Sequence, residues 1–141
     1  LWDSITTGPS HASYANYKGT SALSEPESKA LANLANSANW TMTISYHSMG
    51  NLVYWDFAGN KVAEQSKALA ELVTGITGYR INRSSGKGGF KDYVQIKDSP
   101  IPSLTIEVGS VACPMPVSEF GNVWNSNQSI LAALAAYAAD H

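Results

Sequence analysis

Trp40-Thr41-Met42-Thr43-Ile44-Ser45-Tyr46-His47 alternates apolar and polar side chains without a break. A period of two puts Trp40, Met42, Ile44 and Tyr46 on one face of a strand and Thr41, Thr43, Ser45 and His47 on the other. Ser48-Met49-Gly50 ends that strand, and Asn51-Leu52-Val53-Tyr54-Trp55 reads as a second short one. Upstream, Ser24-Glu25-Pro26-Glu27 has the spacing of a capping box, with proline tolerated in the first turn. Leu31, Leu34, Ala35 and Ala38 then recur at helical spacing, which predicts a helix from about Glu25 to Ser37. Downstream, a helix is expected from about Lys61 to Thr77, with Val62, Leu69, Leu72, Val73 and Ile76 as its inner stripe and Gly78 as its stop. Asn82 to Gly89 reads as a Gly- and Ser-rich loop, and Phe90 to Lys97 fits either a helical turn or two or a short strand. Ser103-Leu104-Thr105-Ile106-Glu107-Val108-Gly109 alternates again. A last helical segment spans about Ser118 to Ala139, with Phe120, Val123, Trp124, Ile130, Leu131, Leu134 and Ala138 on one side and a break near Asn125-Ser126-Asn127. Helices that alternate with strands define the α/β class, with a partly parallel sheet.

Composition narrows the functions open to such a chain. The 141 residues are 44% hydrophobic and 14% charged, enough apolar material for a core and too much for a disordered tail. Nine basic and eleven acidic side chains leave a net charge of -2. That balance offers no basic field for nucleic acid and no polybasic stripe for an anionic membrane surface. No apolar run approaches the roughly 18 residues of a membrane-spanning helix. The single cysteine, Cys113, forms no internal disulfide. The opening residues 1–23 show neither helical nor strand period and are expected to be irregular. A domain that begins on so long an irregular stretch is unusual, so Leu1 reads as a cut end of a longer polypeptide.

Two strands end alike, one in Tyr46-His47-Ser48-Met49-Gly50 and the other in Ile106-Glu107-Val108-Gly109. Each carries a titratable side chain in its polar phase near its carboxyl end, the edge at which open α/β sheets bind ligands. His47 and Glu107 lie sixty positions apart in the chain, and adjacent parallel strands bring such a pair together. A histidine at a strand end is most often simply hydrogen-bonded, and Glu107 between Ile106 and Val108 fits a structural salt bridge as well as a general base. No His-Glu-x-x-His, Cys-x-x-Cys or His-x-x-Glu occurs, so His47 is the one credible zinc ligand. Ser84-Ser85-Gly86-Lys87-Gly88-Gly89 lacks the ending of a phosphate-binding loop and reads as a turn at the mouth of a site. Ser48 has no nucleophile-elbow glycines around it, which argues against a serine hydrolase.

Four segments in order resemble the C-terminal half of the zinc metallocarboxypeptidases: Ser24-Glu25-Pro26-Glu27; Ile44-Ser45-Tyr46-His47-Ser48-Met49-Gly50 with Tyr54-Trp55; Gly88-Gly89-Phe90-Lys91-Asp92-Tyr93; and Pro102-Ser103-Leu104-Thr105-Ile106-Glu107-Val108-Gly109. Tyr17-Lys18-Gly19 also fits, and the likeness runs from about Tyr14 to Ala136. The bacterial branch that contains γ-D-glutamyl-L-diamino acid endopeptidases is the most similar in flavour. The resemblance implies a three-layer α/β sandwich with a mixed, partly parallel sheet, of which residues 1–141 form an incomplete C-terminal portion. It implies that His47 is a zinc ligand, that Glu107 is the general base and proton shuttle, and that Ser48 and Lys91 contact substrate. A cation at Lys91 would favour a substrate that carries a carboxylate, as diaminopimelate does. In many members the segment over the substrate carries a tyrosine; here that stretch holds Asn82, Arg83, Ser84 and Ser85. The family's His-x-x-Glu zinc motif and Asn-Arg carboxylate clamp would lie before Leu1.

The resulting expectation is a zinc-dependent peptidase acting on peptides or peptidoglycan stem peptides, secreted or cell-wall associated in a bacterium, with this chain inactive by itself. The alternative is a non-catalytic binding or structural module that keeps the fold without the metal site. No nucleic acid or membrane partner is expected. Loss of upstream strands would leave a sheet edge open to self-association.

Overall fold

A computed structural model describes residues 2–6, 8–84 and 88–141. Five α-helices and four strands occur among them: α1 (Pro26–Asn36), β1 (Thr43–His47), β2 (Leu52–Asp56), α2 (Ala63–Thr77), β3 (Arg80–Arg83), α3 (Phe90–Ile96), β4 (Ser103–Glu107), α4 (Phe120–Asn127) and α5 (Ile130–Asp140). The strands form one mixed sheet in the order β1-β4-β2-β3. β1 runs parallel to β4 and β3 runs parallel to β2, while β2 and β4 are antiparallel.

Strand alternation sorts the sheet into an apolar and a polar face. Val53, Leu104, Ile106 and Val108 point to one side and form a core with Leu69, Ala70 and Val73 of α2 and Ile130 and Leu134 of α5. Each large aliphatic side chain buried there contributes about 1.5–3 kcal/mol. The opposite face carries Ser103, Thr105 and Glu107 of β4 and is covered by α3, on which α1 packs through Ala35 against Val94 and Ile101. Helices therefore lie on both faces, which makes the three layers of an α/β sandwich.

Local chemistry accounts for most element boundaries. Gly78 ends α2 in the left-handed conformation (φ 70°), with its N–H donating to the Thr74 carbonyl. Phe90–Ile96 settles as a helix because Asp92 reaches back to accept the amides of Gly88 and Gly89 at 3.2 and 3.3 Å. The C-terminal segment breaks at residues 128–129, as the Asn125-Ser126-Asn127 patch leads one to expect.

Four expectations are corrected. Ser24 does not cap α1: proline occupies the first helical position, so Glu25 is the N-cap, and the Ser24 hydroxyl donates to the Glu25 carboxylate instead. The inner face of α1 is Ala32 and Ala35, with Ala35 against Val94 and Ile101, while Leu34 is exposed and Leu31 faces a cavity between α1 and α3. The loop expected at Asn82 is the end of β3, a strand too short to show its period before the Gly-rich run begins. Phe120, Trp124 and Leu131 are exposed rather than inward-facing, and the first two rings stack with centroids 6.1 Å apart.

The opening segment has one short 3-10 turn, Trp2–Ser4, and is otherwise irregular in its described residues. It is tied down by Lys18. That ammonium donates to the Ile5 carbonyl at 2.7 Å and lies 4.1 Å from the centre of the Trp2 ring.

Candidate active site

The register of β1 on β4 places His47 directly beside Glu107. Partners at one level of a parallel pair project from the same face, so imidazole and carboxylate share the polar side of the sheet. His47 is exposed and Glu107 is half-buried. Glu107 Oε2 is buried and has no hydrogen-bond partner. An acceptor left without a proton donor at a strand end is costly for the fold and is the kind of group a ligand completes.

The rim around the pair is built by backbone. Val108 N–H donates to the His47 carbonyl at 2.9 Å, which extends the β1–β4 ladder past Glu107. The Gly109 carbonyl accepts the amides of Gly50 and Asn51 at 2.7 and 3.2 Å and ties the β1–β2 turn to the end of β4. Gly109 has φ 73°, and a Cβ there would fall 2.3 Å from the Met115 sulfur, so both conformation and space demand glycine. Ser48 is exposed at the rim, its hydroxyl 3.8 Å from the Cys113 sulfur.

One step along β4 from Glu107, on the same face, Thr105 opens into a cleft of about 400 Å³ lined also by Tyr54, Ser84, Gly88, Gly89, Lys91 and Asp92. Lys91 is only 3% exposed. Its ammonium forms an ion pair with Asp92, donates to Ser84 Oγ and Gln95 Oε1 at 3.3 Å each, and lies 5.0 Å from the centre of the Phe57 ring. Gln95 fixes this network: its amide nitrogen donates to the carbonyls of Trp55 and Ser103 and to Ser66 Oγ, so its oxygen must face Lys91. A larger cavity of about 680 Å³ lies between the opening segment, α1 and α3; neither His47 nor Glu107 lines it.

The sheet aligns more than the expected pair. Leu52 of β2 pairs with Glu107, and Arg80 of β3 pairs with Leu52. His47, Glu107, Leu52 and Arg80 thus form one row across all four strands. Arg80 and the cleft residues Tyr54 and Thr105 escaped sequence reasoning. Arg80-Ile81-Asn82 does alternate, but three residues are too few to separate a strand from the loop that follows. Ser85, Gly86 and Lys87, expected as part of a turn at the mouth of the site, lie outside the described residues. Of the other positions expected over the substrate, Arg83 forms an ion pair with the buried Asp56 at 2.6 Å, and Asn82 accepts the Arg83 amide.

The mixed sheet thus sets an imidazole and a carboxylate side by side at the carboxyl ends of two parallel strands. The zinc carboxypeptidase family model matches residues 1–129, and the chain belongs to that family. Among characterised relatives it is 32% identical over 119 residues to γ-D-glutamyl-L-diamino acid endopeptidase 1 of Lysinibacillus sphaericus, which covers 84% of this chain and 30% of that protein. It is also 26% identical over 125 residues to the uncharacterised protein YqgT of Bacillus subtilis (strain 168), covering 87% of this chain and 33% of that one. The chain thus spans about a third of the length of these relatives.

The family implies zinc, and a catalytic zinc takes about three protein ligands. Among the described residues no group of three or more His, Cys, Asp or Glu side chains gathers to hold a metal ion. The donor chemistry fits one position of such a set: His47 offers an imidazole at the rim, next to a carboxylate whose buried oxygen is unpartnered.

Proposed function

We propose that this chain carries the general base and one zinc-ligating imidazole of a zinc-dependent peptidase that cleaves the γ-D-glutamyl–diamino acid bonds of cell-wall stem peptides. The observation that supports this reading is the register that sets His47 beside Glu107. His47 would be one ligand, the others coming from outside the described residues. Zinc, when bound, supplies Lewis-acid chemistry, polarising a carbonyl and acidifying water. Glu107 takes a proton from the attacking water and delivers it to the leaving amine. Its unpartnered Oε2 is the acceptor this traffic needs. Ser48 contacts the substrate from the rim. Lys91 faces the diamino acid: all three of its protons are engaged, and a substrate carboxylate would take the place of the Ser84 hydroxyl at 3.3 Å. The same reading carries with it a secreted or wall-associated bacterial location and self-association through the outer edge of β1, which has no strand partner among the described residues.

The test is hydrolysis of a synthetic γ-D-glutamyl–diaminopimelate peptide by a form of the protein that holds this chain together with a His-x-x-Glu pair. Zinc-dependent cleavage that falls at least a thousandfold in Glu107→Gln supports the reading. Equal rates in Glu107→Gln and the parent would refute it. The 141 residues alone should bind zinc weakly and hydrolyse nothing measurable. Tight one-to-one zinc binding by them in calorimetry would contradict the proposed ligand set, and peptide binding without cleavage in the longer form would support a non-catalytic module instead.

A further inference from the structure

Arg80 has no assigned part in the site, yet the fold delivers it there. It stands in the same cross-sheet row as His47 and Glu107, separated from Glu107 by Leu52 alone. Residues at one level of neighbouring strands share a face, so Arg80 projects to the side that holds the imidazole and the carboxylate. Its side chain leans toward them: Nη2 is 3.4 Å from the Gly50 carbonyl. Gly50 is itself packed against Glu107, and a Cβ added to it would sit 3.7 Å from that of Glu107. Gly50 also hangs by its amide from the Gly109 carbonyl at 2.7 Å, so the position of this acceptor is fixed by the end of β4.

The electrostatics leave Arg80 available. Among the described residues Lys91 and Arg83, the other cations near the cleft, already carry an ion pair each, with Asp92 and Asp56, whereas Arg80 lies within 4 Å of no carboxylate. Its side chain is exposed and engages one carbonyl at the long end of the hydrogen-bonding range. A guanidinium presents five donors in a planar fork that matches a carboxylate bidentately. Four of those donors therefore remain to be used at the edge of the site.

We infer that Arg80 is a specificity-determining residue that binds a free carboxylate of the substrate next to the scissile bond. The inference rests on the peptidase reading above and deepens it. A γ-glutamyl linkage spends the side-chain carboxyl on the peptide bond and leaves the α-carboxylate of the same residue free, only a few bonds from the reacting carbonyl. That group is the anion Arg80 reads. An α-linked peptide of an uncharged residue has no carboxylate in that place, so a cation beyond Glu107 separates such peptides from γ-glutamyl ones where the base itself cannot.

The experiment uses two peptides that differ at one group: a γ-D-glutamyl–diaminopimelate peptide with the glutamyl α-carboxyl free, and the same peptide with it amidated. Each is titrated calorimetrically into the full chain at low ionic strength, and each is offered for hydrolysis to the longer zinc-loaded form. The parent should bind the free acid about tenfold more tightly than the amide. Arg80→Gln should bind both as the parent binds the amide, with an unchanged unfolding temperature, and Arg80→Lys should restore part of the preference. A parent that binds acid and amide equally, a preference that survives in Arg80→Gln, or failure to bind either peptide would overturn the inference. Binding and turnover separate the two readings. An Arg80-dependent preference in binding without hydrolysis removes the peptidase reading and leaves the carboxylate site; hydrolysis without preference does the reverse.

Discussion

Replacing Gln95 by leucine tests whether the buried polar network under the cleft is a structural tie or incidental packing. Gln95 is fully buried, and the substitution nearly conserves volume. What changes is hydrogen bonding. The carbonyls of Trp55 and Ser103 lose donors at 2.8 and 2.9 Å, and the Lys91 ammonium loses an acceptor at 3.3 Å. Ser66 Oγ keeps the Ser103 amide at 3.4 Å, so it is not counted. Each buried polar group left alone costs about 1–3 kcal/mol, and the added apolar surface returns about 1–2 kcal/mol. Three such groups give a net loss of about 1–8 kcal/mol, centred on about 4 kcal/mol, a large share of the stability of a domain this size. At roughly 3–4 °C per kcal/mol, a central loss of about 4 kcal/mol lowers the unfolding temperature by about 12–16 °C. The assay is urea unfolding followed by circular dichroism, with a thermal scan alongside. Gln95→Glu serves as control: its shape is kept, but at neutral pH a carboxylate oxygen faces two carbonyls, so that variant should regain stability as the pH falls and the acid can donate. A loss below about 1 kcal/mol in Gln95→Leu, with no pH dependence in Gln95→Glu, would show that the network carries no weight and that Lys91 is held without Gln95.

Two further outcomes follow from the packing and the titration of this chain. Leu69→Ala, at 1% exposure between α2 and the apolar face of the sheet, should cost about 2–5 kcal/mol in chemical denaturation, whereas Leu131→Ala on the exposed side of α5 should change little. The Tyr46 phenol is raised above its ordinary value of 10.0, first by burial and then by Tyr79. The folded state therefore holds this proton to higher pH than the unfolded chain does. Its stabilising contribution is whole below pH 10 and is lost as the pH climbs through the folded value. Stability measured from pH 9 to 11.5 should decline less steeply in Tyr46→Phe, and an identical slope would count against the assignment.

Local chemistry made much of the architecture readable in advance. Strands β1 and β4 announce themselves because their side chains alternate between a core and a polar face. Helix α2 does so because its apolar residues recur at helical spacing and glycine supplies a left-handed stop. Where a local signal was overridden, a neighbour did it: Pro26 moved the cap of α1 from Ser24 to Glu25, and α1 docks on the Val94–Ile101 cluster through Ala35, which leaves Leu31 and Leu34 exposed.

By itself the sequence determined which residues alternate, which recur on a helix face and which carry ionisable groups, since those properties depend on neighbours a few positions away. Tertiary structure alone decided the register that brings His47 beside Glu107 across a separation of sixty positions, carries that row through Leu52 to Arg80, and sinks Lys91 into a polar cluster. A one-residue slip in any of those pairings would preserve every local pattern and send the side chains to the opposite face. Register is set by the packing of the whole sheet against its helices, and that is where this site is made.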